Sequence, residues 1–265
     1  MGTKAAGGDA DANAYISAIT TAGGTLSGAE EAAIQTFFTD IKSSGIFSKA
    51  YAIYPFLGGV ANSNKINAVN PGTYDLTFTG TWNHSVTGSY CASSNSNYAD
   101  TGFNVSSSVA DAESNLSFGG FGNSSHTSGY WGLNGGGGAS TYLLLGDFNN
   151  NSEVYFGSLT TPGGTGGWNG GAAMIANRTS ATSWESIILD SGSAATWPTP
   201  LNPNSTFTKA NYTIYINGIN NISGYNSGGE VTYAWITEGL STSERNDILT
   251  YGNELMTAFN RNMFS

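Results

Sequence analysis

The spacing of apolar residues changes once along this chain, near residue 49, and that change constrains the fold more than any single motif does. Before it, the period is helical. Asp11 to Ala22 carries Ala14, Tyr15, Ala18 and Ile19 at helical spacing and stops before Gly23-Gly24. Ser27 and Glu30 then have the spacing of a capping box, in which each side chain satisfies an orphan backbone N–H of the other's turn. Ile34, Phe37, Phe38 and Ile41 follow at i, i+3, i+4 and i+7, one apolar stripe along a helix. Gly45 supplies the stop. The spacing predicts two helices, over roughly 11–22 and 28–44.

After Lys49 the runs are short and often alternate. Ala50–Leu57 is apolar and ends at Gly58-Gly59. Further strands are predicted at 74–79, 98–105, 115–118, 141–148, 153–157, 172–177, 185–189, 212–217 and 231–236, separated by turn-rich stretches such as Gly135–Gly138 and Pro162–Gly171. The 37 glycines suit this pattern, because tight turns need φ > 0. Many short strands at such spacing predict an all-β sandwich or jelly roll, with residues 46–240 in two packed antiparallel sheets. A propeller or solenoid would show a fixed repeat, and there is none. Ser241 and Glu244 form a second capping-box pattern, and Ile248, Leu255 and Phe259, with Tyr251 and Met263, continue it as a closing amphipathic helix. The organisation expected is a helical segment over 1–47, serving attachment or oligomerisation, and a sandwich with its closing helix over 48–265. Six Trp, 14 Tyr and 13 Phe provide bulk for a core, which argues against disorder.

Charge excludes several functions. Charged residues are 10% of the chain, against about 25% in an average domain, and the net charge is −10. The eight basic residues are scattered, so the clustered footprint of a nucleic-acid binder is missing. The same scatter argues against an anionic membrane surface, and no apolar run reaches bilayer length. Residues 1–15 lack the apolar core of a secretory signal. Cys91 is the single cysteine, which leaves no intramolecular disulfide and no cysteine-based metal cage.

Few residues announce chemistry. A glycosidase needs two carboxylates flanking the sugar bond, and jelly-roll glycosidases carry theirs as Glu-x-Asp-x-x-Glu on one strand. Glu153, Glu185, Asp190 and Glu230 each stand alone in the sequence. A pair converging from distant positions stays open, but the expectation is that the chain is not an enzyme. His84 and His126 are far apart and lack zinc-site spacing. No Gly-x-Ser-x-Gly elbow occurs, and Gly163–Gly167 lacks the Lys-Ser/Thr of a phosphate loop. Asp147, Asn149 and Asn151 place oxygen side chains at alternate positions, as calcium loops do, with a plain β-turn as the alternative. No other cofactor is expected. Tyr130, Trp131, Trp168 and Trp197 sit in Gly/Asn/Ser-rich context where aromatic rings could stack on a glycan, or else pack into the core.

Three stretches carry a family resemblance. They are Ile53–Gly59 with Asn64–Asn67 and Asn70-Pro71, then Trp82–Ser85 followed by Tyr98–Phe103, and last Tyr233–Glu244 leading to Asn260-Arg261. In this order the chain resembles lectin-like, concanavalin-type jelly-roll proteins encoded among bacteriophage structural genes, over roughly 9–104 and 205–262. The resemblance implies a virion component, a head fibre, decoration or tail appendage, assembled in bacterial cytoplasm beside other virion proteins. It transfers no catalytic residues. A glycan-binding receptor module and a polysaccharide depolymerase are the alternatives. The stripe Ile34, Phe37, Phe38 and Ile41 must be buried, either on the chain's own sandwich or on another copy. The family's habit of cyclic assembly favours a homo-oligomer with this stripe in the contact.

Overall fold

A computed structural model describes residues 7–91, 96–112, 114–124, 132–135, 142–148, 151–157, 164–165, 170–181, 183–190, 211–217 and 229–261. Three elements precede the first strand: α1 (Ala10–Thr21), α2 (Gly28–Ser43) and the single turn α3 (Ile46–Lys49). Then come β1 (Ala50–Tyr54), α4 (Ala61–Asn64), β2 (Thr77–Thr79), β3 (Trp82–Ser85), β4 (Gly88–Cys91), β5 (Tyr98–Asn104), α5 (Val105–Ser108) and β6 (Leu116–Ser124). The rest are β7 (Gly132–Gly135), β8 (Tyr142–Phe148), β9 (Asn151–Gly157), β10 (Gly164–Thr165), β11 (Gly170–Ser180), β12 (Ser183–Asp190), β13 (Thr213–Ile216), β14 (Gly229–Thr237) and α6 (Thr242–Ala258).

The strands form two sheets, and each described pairing is antiparallel. The first runs β12-β11-β6-β14-β4-β3, and β1 also pairs with β14, end to end with β4. The second runs β10-β9-β8-β7-β13-β5-β2. The expected antiparallel sandwich with helices at both ends is what the chain forms. Four strands were not foreseen: β3, β4, β7 and β10. The last falls inside the turn-rich stretch Pro162–Gly171, where Gly164 and Thr165 pair with Ser152 and Asn151.

The central strands β1, β11 and β14 of the first sheet are buried on both faces. On β1, Ala52 and Tyr54 point into the core between the sheets, while Ile53 points the other way. Met174 and Ala176 alternate in the same manner with Ala173 and Ile175 on β11. A bulge between Val231 and Tyr233 shifts the phase on β14, so that Val231, Ala234 and Ile236 face the inner core and Tyr233 and Trp235 the outer one. The outer face is covered by α1, α2 and α6. Phe37 meets Tyr233 edge to face at 6.1 Å, and Phe121, Tyr233 and Trp235 continue the aromatic layer.

This layer corrects one expectation. Ile34, Phe37, Phe38 and Ile41 are buried within the chain itself, all at 3% exposure or less. The stripe therefore has no area left for contact with another copy. The side chains of α1 and α2 share one cluster with Ala173, Ile175, Tyr233 and Trp235. Glycine permits close packing in this layer, both of a helix on the sheet and between neighbouring strands. A side chain on Gly252 of α6 would come within 2.9 Å of Tyr233, and one on Gly119 would run into Trp235.

The resemblance motifs hold this arrangement together. Asn67 satisfies its whole amide: Oδ1 accepts from Ile53 N and Val69 N, while Nδ2 donates to the carbonyls of Tyr51 and Thr73. Asn64, with its amide nitrogen turned to the carbonyls of Leu57 and Phe56, accepts from Ser89 Oγ at 3.0 Å. Because the Ser89 proton is thereby used, His84 Nδ1–H is the donor in the 2.9 Å bond between His84 and Ser89. Arg261, beyond α6, is buried and donates to the carbonyls of Val86, Pro55 and Phe56.

Candidate functional site

A cleft of about 660 Å³ opens where one end of the first sheet meets the start of α6. Its walls come from segments far apart in sequence: Lys49 at the end of α3, Asp111, Ser114 and Asn115 before β6, Asn177 and Thr179 on β11, Glu185 on β12, and Gly239–Thr242 between β14 and α6. Every lining side chain except Leu240 is polar or charged, apart from the glycine.

The walls are held by bonds within the chain. Asn177, buried on β11, donates from Nδ2 to Leu240 O and accepts from Leu240 N, both at 2.8 Å. Asn115 Oδ1 accepts from Gly239 N at 2.8 Å, and its Nδ2 donates to Asp111 at 3.4 Å. Gly239 is required there by close approach, since a Cβ would strike the carbonyl of Arg178. The loop carrying Gly239 and Leu240 is thus pinned from two sides before it enters α6.

Two ion pairs set the electrostatics. Lys49 Nζ lies 2.6 Å from Glu244 Oε1, and Glu244 also accepts from Ser241 N as the second half of the capping box. Burial alone would push the Glu244 carboxyl up, but the lysine and the Ser241 donors outweigh it and hold the group below its usual range. Glu185 pairs with Arg245, whose side chain is 9% exposed. Asp111 and Thr179 are exposed. The cleft therefore presents two carboxylates, Asp111 and Glu185, together with hydroxyls of Ser114, Thr179 and Thr242. Such a lining suits a ligand rich in hydroxyl groups, because donors and acceptors are both on offer.

The residues singled out from sequence fall elsewhere. Tyr130, Trp131, Trp168 and Trp197 lie outside the described residues, as does Asn149. Asp147 and Asn151 lie on β8 and β9, where Asp147 pairs with Ser152 and Asn151 with Phe148. Among the described residues no three His, Cys, Asp or Glu side chains gather as a metal site, and no helix is long and apolar enough to cross a membrane. Cys91 is buried and accepts from Asn217 Nδ2 at 3.5 Å, and burial raises its thiol pKa. Of the carboxylates weighed from sequence, the structure brings Glu185 to the cleft. Sequence reasoning missed Lys49, Asp111, Asn115 and Asn177, which share no local pattern.

No family model matches the chain, and no curated protein sequence does. Among solved structures, Trypanosoma rangeli sialidase in complex with 2,3-difluorosialic acid as a covalent intermediate aligns with a TM-score of 0.52 at 11% identity. That alignment covers 85% of this chain and 39% of the sialidase, so the chain spans about two fifths of that enzyme's length. Domain 4 of AbnA, a GH43 extracellular arabinanase from Geobacillus stearothermophilus, solved with arabinotriose, aligns with a TM-score of 0.50 at 15% identity, over 76% of this chain and 98% of that domain. At these identities the likeness establishes the fold, a β sandwich of a kind found in glycosidases. The expectation that the chain is not an enzyme is overturned by these likenesses. Glycosidases contain this fold, and a missing Glu-x-Asp-x-x-Glu pattern does not exclude carboxylates brought together from separate elements, as Asp111 and Glu185 are.

Proposed function

We propose that the chain is a glycan-binding β sandwich of the concanavalin-type jelly-roll class, carried on a bacteriophage particle and directed at the host surface. The observation that carries the binding part is the polar cleft, whose volume of about 660 Å³ falls in the range of small-molecule sites and whose walls are fixed in advance. Fixed walls lower the cost of ordering on binding. The arabinanase domain of similar fold was solved holding arabinotriose, which supports a short oligosaccharide as the ligand class. The particle assignment rests on the sequence resemblance, several of whose residues (Asn64, Asn67, Tyr233, Trp235) serve packing and hydrogen bonding of the fold.

A second reading, glycoside hydrolysis, is favoured by one observation: Asp111 and Glu185 both line the cleft, and retaining and inverting glycosidases each use two carboxyls. One experiment addresses both. The purified chain is applied to an array of bacterial surface polysaccharides, and reducing ends are assayed in parallel. Binding is expected, weakened about tenfold by Asp111→Ala and by Thr179→Ala, a loss of about 1.4 kcal/mol for each. Both side chains are exposed, so the fold tolerates their loss. No bound polysaccharide, or binding indifferent to both changes, would overturn the reading. Reducing ends released by the wild type and lost in Glu185→Gln would assign the hydrolase.

A further inference from the structure

On β5 and β13 of the second sheet one face meets the inner core, and among the described residues no helix of the outer layer packs on the other. On β5, Ala99, Thr101 and Phe103 point inward, and on β13 Ile214 and Ile216 do the same. The opposite face therefore carries Tyr98, Asp100 and Asn104 of β5 beside Thr213 and Tyr215 of β13. Helices α1, α2 and α6 pack on the other sheet. Tyr98 and Tyr215 stack with ring centroids 4.3 Å apart and planes 7° from parallel, both half-buried. Asp100 stands opposite Tyr215 in the register, and its Oδ1 accepts from Gly102 N. Asn104 Nδ2 donates to Asn211 Oδ1 at 2.9 Å along the same face.

We propose that this face is a second carbohydrate contact, separate from the cleft, that takes a neutral sugar. Two side chains locked face to face have surrendered their rotamer freedom already, so a ring surface is presented at low entropic cost. Each ring of the pair keeps one face not used by the other, and an aromatic face attracts the partly positive C–H edge of a sugar ring. Asp100 and the Asn104–Asn211 amides lie within the same two strands and their margin, placed to meet the hydroxyls that stacking leaves at the rim. Charge fixes the ligand class. With Asp100 beside the tyrosines and a net charge of −10, an anionic uronic or sialic acid meets repulsion while a neutral sugar does not. The Tyr215 hydroxyl stays protonated at neutral pH, pushed up to about 12 by burial and the nearby Asp100, and it is hydrogen-bonded within the face to Tyr98 and Thr213.

The full chain is titrated by calorimetry with arabinotriose and maltotriose as neutral probes and sialyllactose as the acidic one. The wild type is expected to bind a neutral probe and to take sialyllactose at least about tenfold more weakly. Tyr215→Leu and Tyr98→Leu, which keep apolar volume but remove the ring, should each weaken neutral binding about tenfold. Tyr215→Phe should retain most of it, and Asp100→Asn should narrow the gap between neutral and acidic probes. Asp111→Ala in the cleft should leave this component in place, which separates the two sites. No neutral binding by the wild type, or full affinity in both leucine variants with circular dichroism unchanged, would overturn the proposal. An unaltered gap in Asp100→Asn would remove the charge argument with it.

Discussion

Replacing Phe37 by Ala tests whether the N-terminal helices are part of the sandwich or an appendage to it. Phe37 is 3% exposed, 5.9 Å from Phe38 edge to face and 6.1 Å from Tyr233 at 90°. Truncating such a phenylalanine costs about 3–5 kcal/mol, as lost transfer energy plus the cavity left behind. A domain of this size loses roughly 2–4 °C of Tm per kcal/mol, so a fall on the order of 6–20 °C is expected. Natural stabilities are about 5–15 kcal/mol, so the variant should still fold at low temperature. Urea unfolding followed by tryptophan fluorescence measures the loss, with light scattering on the same samples. A midpoint unchanged while the molecular mass falls would refute the reasoning, because it would place Phe37 in a contact between copies.

A chain beginning at Ser48 should fail to fold, since it uncovers Ile175, Tyr233 and Trp235 together; a soluble, cooperatively unfolding product in calorimetry would contradict this. Gly119→Val should cost about 1–3 kcal/mol or more by overpacking against Trp235 and against the Met174 carbonyl, which would lie 2.6 Å from the new Cβ, read as a lower urea midpoint. Stability should also fall with acid. Burial lowers the His84 pKa below its ordinary 6.5, so its contribution is complete above that value and is lost as pH falls toward the folded value. Asp9 and Glu244 follow at lower pH: burial raises each, but Lys42 and the α1 amides for Asp9, and Lys49 and Ser241 for Glu244, hold both below the usual range. Their contributions are present above the ordinary carboxylate values and lost as pH falls through the depressed ones. Urea midpoints across this range should decline in two stages, and His84→Gln should remove the first.

Local chemistry made the helices legible. Both capping boxes form as the Ser27/Glu30 and Ser241/Glu244 spacing requires, and the stripe from Ile34 to Ile41 is buried. Most strands were legible from their apolar runs, but Trp82–Cys91 was not, because its alternation of Trp, His and Tyr with small polar residues lacks aliphatic contrast. The partner of the helical stripe was written in Tyr233–Ile236, four residues without a polar alternate, as in a strand covered on both faces. Nothing local foretold the cleft. Lys49, Asp111, Asn177, Glu185 and Gly239 converge only when three strands and two helix ends are in place, and Tyr98 meets Tyr215 only through the pairing of β5 with β13.

The most direct test of the account is backbone amide chemical-shift mapping of the full chain during titration with arabinotriose. Saturable shifts are predicted at Asn115, Asn177, Thr179, Gly239 and Thr242, the segments that wall the cleft, and Asp111→Ala should raise the saturating concentration about tenfold. Shifts absent from all five, with saturation elsewhere or none at all, would contradict the assignment of the cleft as a glycan site.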